Sequence, residues 1–402
     1  MLAESALRKI VRYGSLTVTD VSGRKYVFFG ERGPAVAIRL TDPRLHFRLF
    51  YNAQLALGEA YTDGTIILEE GDIYEFLEIC LANQKTLENT FLQKLLNIAR
   101  RLRAAIRTYN PIGIAQRKVA HHYDLGDELF DLFLDSGRQY SCAYFKSPSD
   151  DIETAQQYKK IHIAAKLLLE NGQRILDIGS GWGGLSLFLA GLKDVSVDGV
   201  TLSTEQHKYS VERALKMGMS ENARFHLRDY RELKECYDRI VSIGMLEHVG
   251  PRHYGEFYNK VSDLLTDDGV ALIHSIGKFK DPSPQNTWME KYIFPGAYTP
   301  TLSEQFPWIE RSNLFVSDVE ILRIHYAETL KLWRQAFEKN RAIVADMYDE
   351  RFCRMWEFYL AGCEAAFRHG VLMVFQIQLS KTLDTVPLTR DYIHEFEKTH
   401  FN

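Results

Sequence analysis

The 402-residue sequence has no apolar run near the roughly 18–20 residues that span a bilayer, and its beginning lacks the apolar core of a secretion signal. Cysteine is scarce: there are five, an odd number, scattered without Cys-x-x-Cys spacing. A disulfide framework and a cysteine zinc site are therefore both disfavoured, we expect no metal, and a reducing cytoplasm is the predicted location.

Neither sign of charge dominates, since 49 Lys and Arg stand against 53 Asp and Glu, for a formal net charge of −4. This balance argues against a protein that is basic overall and binds nucleic acid. The composition is that of a folded protein, with 46% hydrophobic and 25% charged residues. The length predicts about two or three domains.

The first eighty or so residues have the pattern of a small mixed domain. Short β-rich runs at residues 16–19, 26–29 and 35–40 are separated by glycine-containing turns, and a helical pattern begins at Asp72. We therefore predict a small N-terminal α+β domain over residues 1–108.

A basic segment lies at the end of this predicted domain. Apolar residues recur at three- and four-residue steps over residues 91–106, which predicts an amphipathic helix. Seven basic residues and no acidic one lie between Lys94 and Lys118. The helix either docks on anionic lipid headgroups or packs its apolar face on its own domain. The helix-breaking residues 109–113 mark the predicted domain boundary.

From about Asn171, short apolar strands alternate with helical stretches, which is typical of a parallel α/β sheet. The predicted strands cover residues 174–179, 195–201, 223–227, 239–243 and 270–276. We assign residues 109–402 to this second domain.

The regular alternation stops after Ile276. Residues 278–315 are irregular and rich in proline, and helical patterns return at 326–349 and 349–367. An insertion at the carboxyl edge of a parallel sheet usually covers a ligand, so we predict a helical lid insertion over about 278–350.

A glycine-rich turn is the most informative feature of the sequence. Residues 175–184 read ILDIGSGWGG, an apolar strand running into a turn with four glycines in six residues. Glycine lets a ligand lie against bare backbone, although a tight turn without a ligand is the alternative. A dinucleotide would favour a carboxylate at the tip of the next strand. Asp177 lies inside the motif instead, and Asp229 follows the third strand, which suits an adenosyl ligand without pyrophosphate, namely S-adenosylmethionine.

Several further motifs occur in order with this turn. They are YSCAYF at 140–145, VTLS at 200–203 with Gln206, SIGMLEHVG at 242–250, HSIG at 274–277, KYIFPG at 291–296 and HY at 325–326. Together they resemble the cyclopropane-fatty-acyl-phospholipid synthase family, which includes the mycolic acid cyclopropane synthases. The likeness is dense over residues 116–380 and looser in the N-terminal domain, and Ser180 departs from the cysteine common in the family.

The resemblance implies an α/β fold: a Rossmann-like class I methyltransferase sheet with a helical lid insertion, beside a sterol-carrier-like, lipid-binding N-terminal domain. It also implies that S-adenosylmethionine binds on the glycine turn. Gly179 and its neighbours would lie beneath the methionine part, residues 201–206 would meet the ribose, and Tyr230 with Arg231 the adenine. The implied cofactor residues are Tyr123, Tyr140, Ser141, Asp177, Gly179, Ser180, Gly181, Thr201, Leu202, Ser203, Gln206, Asp229, Tyr230 and Arg231. Tyr140 and Tyr230 could instead be core aromatics.

The family's site holds a bicarbonate ion that serves as base, and the resemblance carries its ligands to this chain. The implied catalytic residues are Cys142, Glu247, His274, Ile276, Tyr326 and Cys363. From the residues alone, Glu247 could equally cap a helix, and His274 could be a core histidine. Cys363 matches a position traditionally called the active-site cysteine, but no step of the reaction needs a covalent enzyme intermediate.

The implied reaction is transfer of a methylene group from S-adenosylmethionine to the cis double bond of an unsaturated acyl chain in membrane phospholipid. The expected setting is the inner face of the membrane, with peripheral contact and a possible homodimer. A methyltransferase that makes methyl- or methylene-branched acyl chains is the near alternative, and an N-methyltransferase of soluble amines is a more distant one. A lipid carrier that binds the cofactor without turnover would belong to another class.

Overall fold

The computed structural model describes residues 4–83 and 126–401. The helices within these ranges are α1 Glu4–Ile10, α2 Leu45–Thr62, α3 Ile73–Ala82, α4 Asp127–Asp131, α5 Ile152–Lys166, α6 Gly184–Leu192, α7 Thr204–Lys216, α8 Tyr254–Leu264, α9 Thr287–Tyr292, α10 Leu302–Ile309, α11 His325–Lys339, α12 Arg341–Met347, α13 Glu350–Arg368 and α14 Asp391–His400. The strands are β1 Ser15–Thr19, β2 Lys25–Phe29, β3 Ala35–Leu40, β4 Ile66–Glu70, β5 Arg174–Ile178, β6 Ser196–Thr201, β7 Ala223–Leu227, β8 Tyr237–Ile243, β9 Leu265–Lys278, β10 Phe315–Ile321 and β11 Leu372–Ser380.

The first of two compact units comprises the described residues of 1–107 together with 283–295 and 330–371. Its four-stranded sheet has the order β2-β1-β3-β4, in which β1 is antiparallel to β2 but parallel to β3. Helices α2 and α3 both pack against α13. Asp72 and Glu75 close a reciprocal capping box at the start of α3, which satisfies backbone amides that the helix itself leaves unpaired.

The second unit contains the predicted α/β sheet. Its seven strands have the order β7-β6-β5-β8-β9-β11-β10. Strands β5 to β9 run parallel, and β11 lies antiparallel between β9 and β10. Successive residues of a strand point to opposite faces, so Leu176 and Ile240 enter one buried core while Ile175 and Val241 enter the other. Both faces of the sheet are thus covered, and its carboxyl edge is left for a ligand.

The predicted strands match the observed ones to within a few residues, but β4, β10 and β11 were not predicted. Strand β11 contains two buried glutamines, Gln376 and Gln378, which interrupt its apolar pattern. Strand β10 lies at the sheet edge and carries Asp318 and Glu320, so it too lacks a continuous apolar run. The stretch predicted to be irregular after Ile276 contains the short helices α9 and α10.

The predicted lid insertion is divided between the units, since residues 283–295 and 330–371 belong to the first. The predicted domain boundary at 109–113 and the predicted basic helix at 91–106 lie outside the described residues. The division at 108/109 therefore stays a prediction. Within residues 4–83 and 126–401, no helix has both the length and the apolar character needed to cross a bilayer.

Candidate active site

The chain between β5 and α6 makes a tight turn in which three glycines adopt left-handed conformations. The φ angles are +84° at Gly179, +55° at Gly181 and +77° at Gly183, a region that residues with a Cβ adopt only with strain. The amides of Gly179 and Ser180 both donate to the carbonyl oxygen of Val200, at 2.9 and 3.0 Å. The turn is thereby fixed to the end of β6.

These glycines differ in what their backbone faces. A Cβ at Gly183 would lie 2.6 Å from Cζ of Phe225, so glycine is required there for packing within the protein. Among the described residues, a Cβ at Gly181 would meet only Nε2 of Gln206 within 4 Å, at 4.0 Å. Gly181 therefore has the open backbone predicted for a ligand, whereas Gly183 has a packing role that the sequence did not reveal.

The carboxyl end of β6 brings the predicted ribose residues to the same turn. Oγ1 of Thr201 donates to Oε1 of Gln206 at 3.1 Å. Ser203 caps α7 by accepting from the amide of Gln206, and Leu202 lies between these residues in the chain. Ser180 Oγ is buried without a hydrogen-bond partner among the described residues. Because buried polar atoms are rarely left unpaired, this hydroxyl fits a polar ligand lying on the turn.

The predicted adenine residues lie together after β7. Asp229 caps the short 3-10 turn Tyr230–Glu232, and its carboxylate accepts from Nε and Nη2 of Arg231 at 2.9 and 2.6 Å. The ring of Tyr230 packs edge-on against Phe257, with ring centroids 5.7 Å apart. This anchors the segment, and Tyr230 is in contact with the core as the alternative interpretation held.

The segment that carries Tyr140 and Ser141 is held by a buried lysine that the sequence analysis missed. Lys159 of α5 is 1% exposed, and its Nζ donates to Oγ of Ser141 at 2.9 Å and to Oε1 of Gln139 at 2.6 Å. Nε2 of Gln156 donates to the carbonyl oxygen of Ser141 at 3.0 Å. The lysine gave no sign of burial in the sequence because it lies in a polar stretch of helix.

Burial brings the pKa values of two ionisable groups in this region close to neutral pH. Desolvation raises the pKa of Asp177 to about 6, although Ser186 donates to its carboxylate at 2.7 Å. Desolvation also lowers the pKa of Lys159 to about 7. Because burial disfavours the charged form of each group, both titrate near neutral pH.

Glu247 lies just after β8, in the 3-10 turn Leu246–His248. Its Oε1 accepts from the amide of Ile276 at 2.7 Å, which joins the ends of β8 and β9. Its Oε2 is buried and has no hydrogen-bond partner among the described residues. Burial raises the pKa of this carboxyl to about 7, against the lowering effects of the Ile276 amide, its own backbone amide and the Ser275 hydroxyl. The carboxyl is therefore poised between its two protonation states with one oxygen left to bind a ligand.

His274 is buried on β9, between Ile243 of β8 and Gln376 of β11 in the strand register. Desolvation lowers the pKa of its imidazole to about 3. The ring is consequently neutral at physiological pH, with a hydrogen on only one of its two nitrogens.

Cys142 and Tyr326 are both buried and lie outside the strands of the sheet. Burial raises the pKa of the Cys142 thiol, which therefore stays protonated at neutral pH. The amide of Ala143 donates to Oγ1 of Thr329 at 3.0 Å, one helical turn after the buried Tyr326 in α11. Cys142 and Tyr326 thus lie on two segments that contact each other.

Two predicted site residues lie outside the described part of the second unit. Cys363 lies in α13 of the first unit, where desolvation raises the pKa of its thiol to about 12, so it is a poor nucleophile at neutral pH. Tyr123 lies outside the described residues. The other five predicted catalytic residues all belong to the second unit.

Replacing Gly181 with valine should reduce affinity for S-adenosylhomocysteine by about a hundredfold or more, since a branched side chain would fill the open backbone face. Gly218→Val is the matched control, because Gly218 has a φ of +68° and no atom of the described residues lies within 4 Å of an added Cβ. Isothermal titration calorimetry, with circular dichroism as a folding check, measures the effect. Equal affinities in Gly181→Val and the control would contradict the assignment.

The family model for mycolic acid cyclopropane synthetase matches residues 114–377. The cyclopropane-fatty-acyl-phospholipid synthase of Escherichia coli K12 is 36% identical over 352 residues, covering 86% of this chain and 88% of that protein. The tuberculostearic acid methyltransferase of Mycobacterium tuberculosis is 36% identical over 275 residues, covering 65% and 64%.

Solved structures agree with these relationships. The cyclopropane synthase MmaA2 of Mycobacterium tuberculosis has a TM-score of 0.63 at 33% identity, covering 66% of this chain and 98% of its own. Cyclopropane synthase CmaA1, complexed with SAH and CTAB, has a TM-score of 0.63 at 32% identity, covering 67% and 99%. Coclaurine N-methyltransferase reaches 0.66 at 22% identity, covering 82% and 100%, which shows the shared fold alone.

The predicted class I methyltransferase fold and the predicted family are therefore both confirmed, and binding of S-adenosylmethionine is supported by the relationship to proteins solved with SAH. The chain belongs to the mycolic acid cyclopropane synthetase family of S-adenosylmethionine-dependent methyltransferases.

Proposed function

We propose that the protein transfers a methylene group from S-adenosylmethionine to the cis double bond of an unsaturated acyl chain in membrane phospholipid, with bound bicarbonate as base. The observation that carries this proposal is the buried carboxyl of Glu247, whose Oε2 has no partner among the described residues. The similarity to a phospholipid synthase over 86% of the chain supports the substrate class.

The reaction sets three requirements for the site. The sulfonium supplies a methyl group, whose bond to sulfur breaks as its carbon bonds to one alkene carbon. The other alkene carbon becomes cationic, and a proton must leave the transferred methyl before the second ring bond can close. The protein must therefore hold the alkene in line, exclude water and provide a proton acceptor that is not itself methylated.

His274 and Cys142 are both poorly suited to take that proton directly. His274 is a weak base because its pKa is lowered to about 3 by burial. The Cys142 thiol stays protonated because burial raises its pKa. Bound bicarbonate would accept the proton beside the cation without offering a strong nucleophile.

The hydrogen-bonding groups of the site residues are suited to binding bicarbonate. The Glu247 carboxyl can accept the acidic hydrogen of the ion through Oε2, because Oε1 is already engaged by the Ile276 amide. Neutral His274 and the hydroxyl of Tyr326 can each donate one hydrogen bond to an oxygen of the anion.

A branched-chain product is the second candidate, and a specific observation favours it. The tuberculostearic acid methyltransferase is as identical to this chain as the phospholipid synthase is, at 36%, although over a shorter stretch. The two products share the first methyl transfer and differ in which proton the base removes.

The membrane setting belongs to the same proposal. The predicted basic helix at 91–106 would supply the electrostatic attraction to anionic headgroups. Exposed aromatic side chains on α2, Phe47, Phe50 and Tyr51, support contact of the first unit with a lipid interface. We further propose that the enzyme works at the inner face of the membrane, with the N-terminal unit as its lipid-docking part and a homodimer as its assembly.

Purified protein incubated with a cis-unsaturated phospholipid and a donor carrying a trideuterated methyl should yield an acyl chain that gains one carbon and keeps two deuterons. The third deuteron leaves as the acid, and the product should resist ozone cleavage because no double bond remains. Mass spectrometry before and after ozone treatment makes the measurement, with a saturated phospholipid as control. A product that ozone still cleaves would instead identify the branched-chain reaction.

Glu247→Gln should lower turnover by about a hundredfold, the usual loss when a buried polar partner of a transition-state group is removed. Affinity for S-adenosylhomocysteine should stay near that of the parent, and removal of dissolved carbon dioxide should slow the parent until bicarbonate is restored. Glu357→Gln, at a partly buried glutamate of the first unit, is the matched control. Full parent activity in carbonate-free buffer would rule out bicarbonate as the base.

A further inference from the structure

Gln376 of β11 is paired directly with His274 of β9 in the antiparallel register. Both side chains are buried, with 1% and 2% of their surface exposed. Nε2 of Gln376 lies 3.2 Å from Nδ1 of His274. Since an amide nitrogen only donates, Nδ1 of the imidazole must accept this hydrogen bond.

The orientation of the glutamine amide is fixed by a buried lysine. Nζ of Lys166, at the end of α5, lies 2.8 Å from Oε1 of Gln376. An ammonium group has donors and no acceptor, so it can bond only to the oxygen of the amide. The amide nitrogen is therefore left facing His274.

Lys166 is itself held in place by a polar network. Its Nζ donates to Oε2 of Glu320, and the same carboxylate oxygen lies 2.8 Å from Nε2 of His162. Nδ1 of His162 lies 2.6 Å from Oε1 of Glu397 in α14. The ammonium that orients Gln376 thus has a carboxylate partner, which compensates for the desolvation of a buried cation.

This arrangement determines which nitrogen of His274 carries hydrogen. The imidazole is neutral, because burial and the charges of Lys159 and Lys166 lower its pKa to about 3. With Nδ1 accepting from Gln376, the single ring hydrogen resides on Nε2. The contact with Gln376 engages Nδ1, which leaves the Nε2–H of His274 to donate elsewhere.

We propose that Gln376, oriented by Lys166, is a positioning residue that holds His274 in its Nε2–H tautomer, so that the imidazole presents a hydrogen-bond donor to the anion in the site. The inference rests on the proposed function for the identity of that anion. The opposite tautomer would aim a lone pair at the anion, and repulsion would replace a hydrogen bond. Neither glutamine nor lysine need touch the substrate for this effect.

The test replaces the amide of Gln376, whose nitrogen donates a hydrogen bond, with a carboxylate of similar size that can only accept. In Gln376→Glu, a carboxylate faces Nδ1 and can only accept, so the ring hydrogen should move to Nδ1. Gln378→Glu is the matched control, because Gln378 is equally buried on the same strand but bonds to the carbonyl of Lys166 and to Tyr392. Any general loss of stability from a buried carboxylate should appear in both variants.

The tautomer is measured directly by nitrogen NMR of protein labelled with 15N-imidazole histidine, with the His274 signals assigned by their absence in His274→Asn. The parent and Gln378→Glu should show a protonated Nε2, and Gln376→Glu a protonated Nδ1. A protonated Nδ1 in the parent, or the same tautomer in all three proteins, would overturn the proposal whatever the base proves to be.

Kinetics then measure the consequence. The bicarbonate concentration for half-maximal turnover should rise about ten- to hundredfold in Gln376→Glu, as expected for a lost hydrogen bond to a charged group. The KM for S-adenosylmethionine should not change, and Gln378→Glu should respond to bicarbonate as the parent does. An equal rise in both variants would assign Gln376 a purely structural role and overturn the proposal. If turnover of the parent does not depend on bicarbonate but the three proteins show the expected tautomers, only the proposed base is refuted.

Discussion

Burial of the Glu247 carboxyl is the constraint on which the site depends. The long strand β9 passes beside the end of β8, and its Ile276 amide donates to one carboxyl oxygen while the other has no partner among the described residues. The same burial raises the pKa of the group to about 7, because it disfavours the charged carboxylate. A small ligand that shares a hydrogen with the carboxyl would give this oxygen a hydrogen-bond partner.

The same burial acts on the neighbouring groups. It keeps His274 neutral and Cys142 protonated, and brings Asp177 and Lys159 to pKa values of about 6 and 7. Burial thus disfavours full charge on each of these groups, and charge that develops on a substrate in such surroundings is weakly screened. Interactions with a transient cation are strong in such surroundings, which is what cyclopropanation requires.

The sequence was most informative where a local residue pattern has one structural explanation. The glycines of residues 179–184 predicted a bare turn, and the apolar runs of β5 to β9 predicted a parallel sheet. Strand β11 escaped prediction because Gln376 and Gln378 break its pattern, yet these glutamines are buried because partners from distant elements satisfy them. Lys159 and Lys166 were missed for the same reason, since burial of a lysine depends on contacts that one segment cannot reveal.

Carbon NMR of the purified protein equilibrated with 13C-bicarbonate tests the central claim most directly, because it observes the ion without requiring turnover. The account predicts a bound-bicarbonate signal, distinct from the free ion, that is present in the parent and lost in Glu247→Gln. A parent that shows only free bicarbonate and carbon dioxide, at concentrations that support full activity, would contradict it.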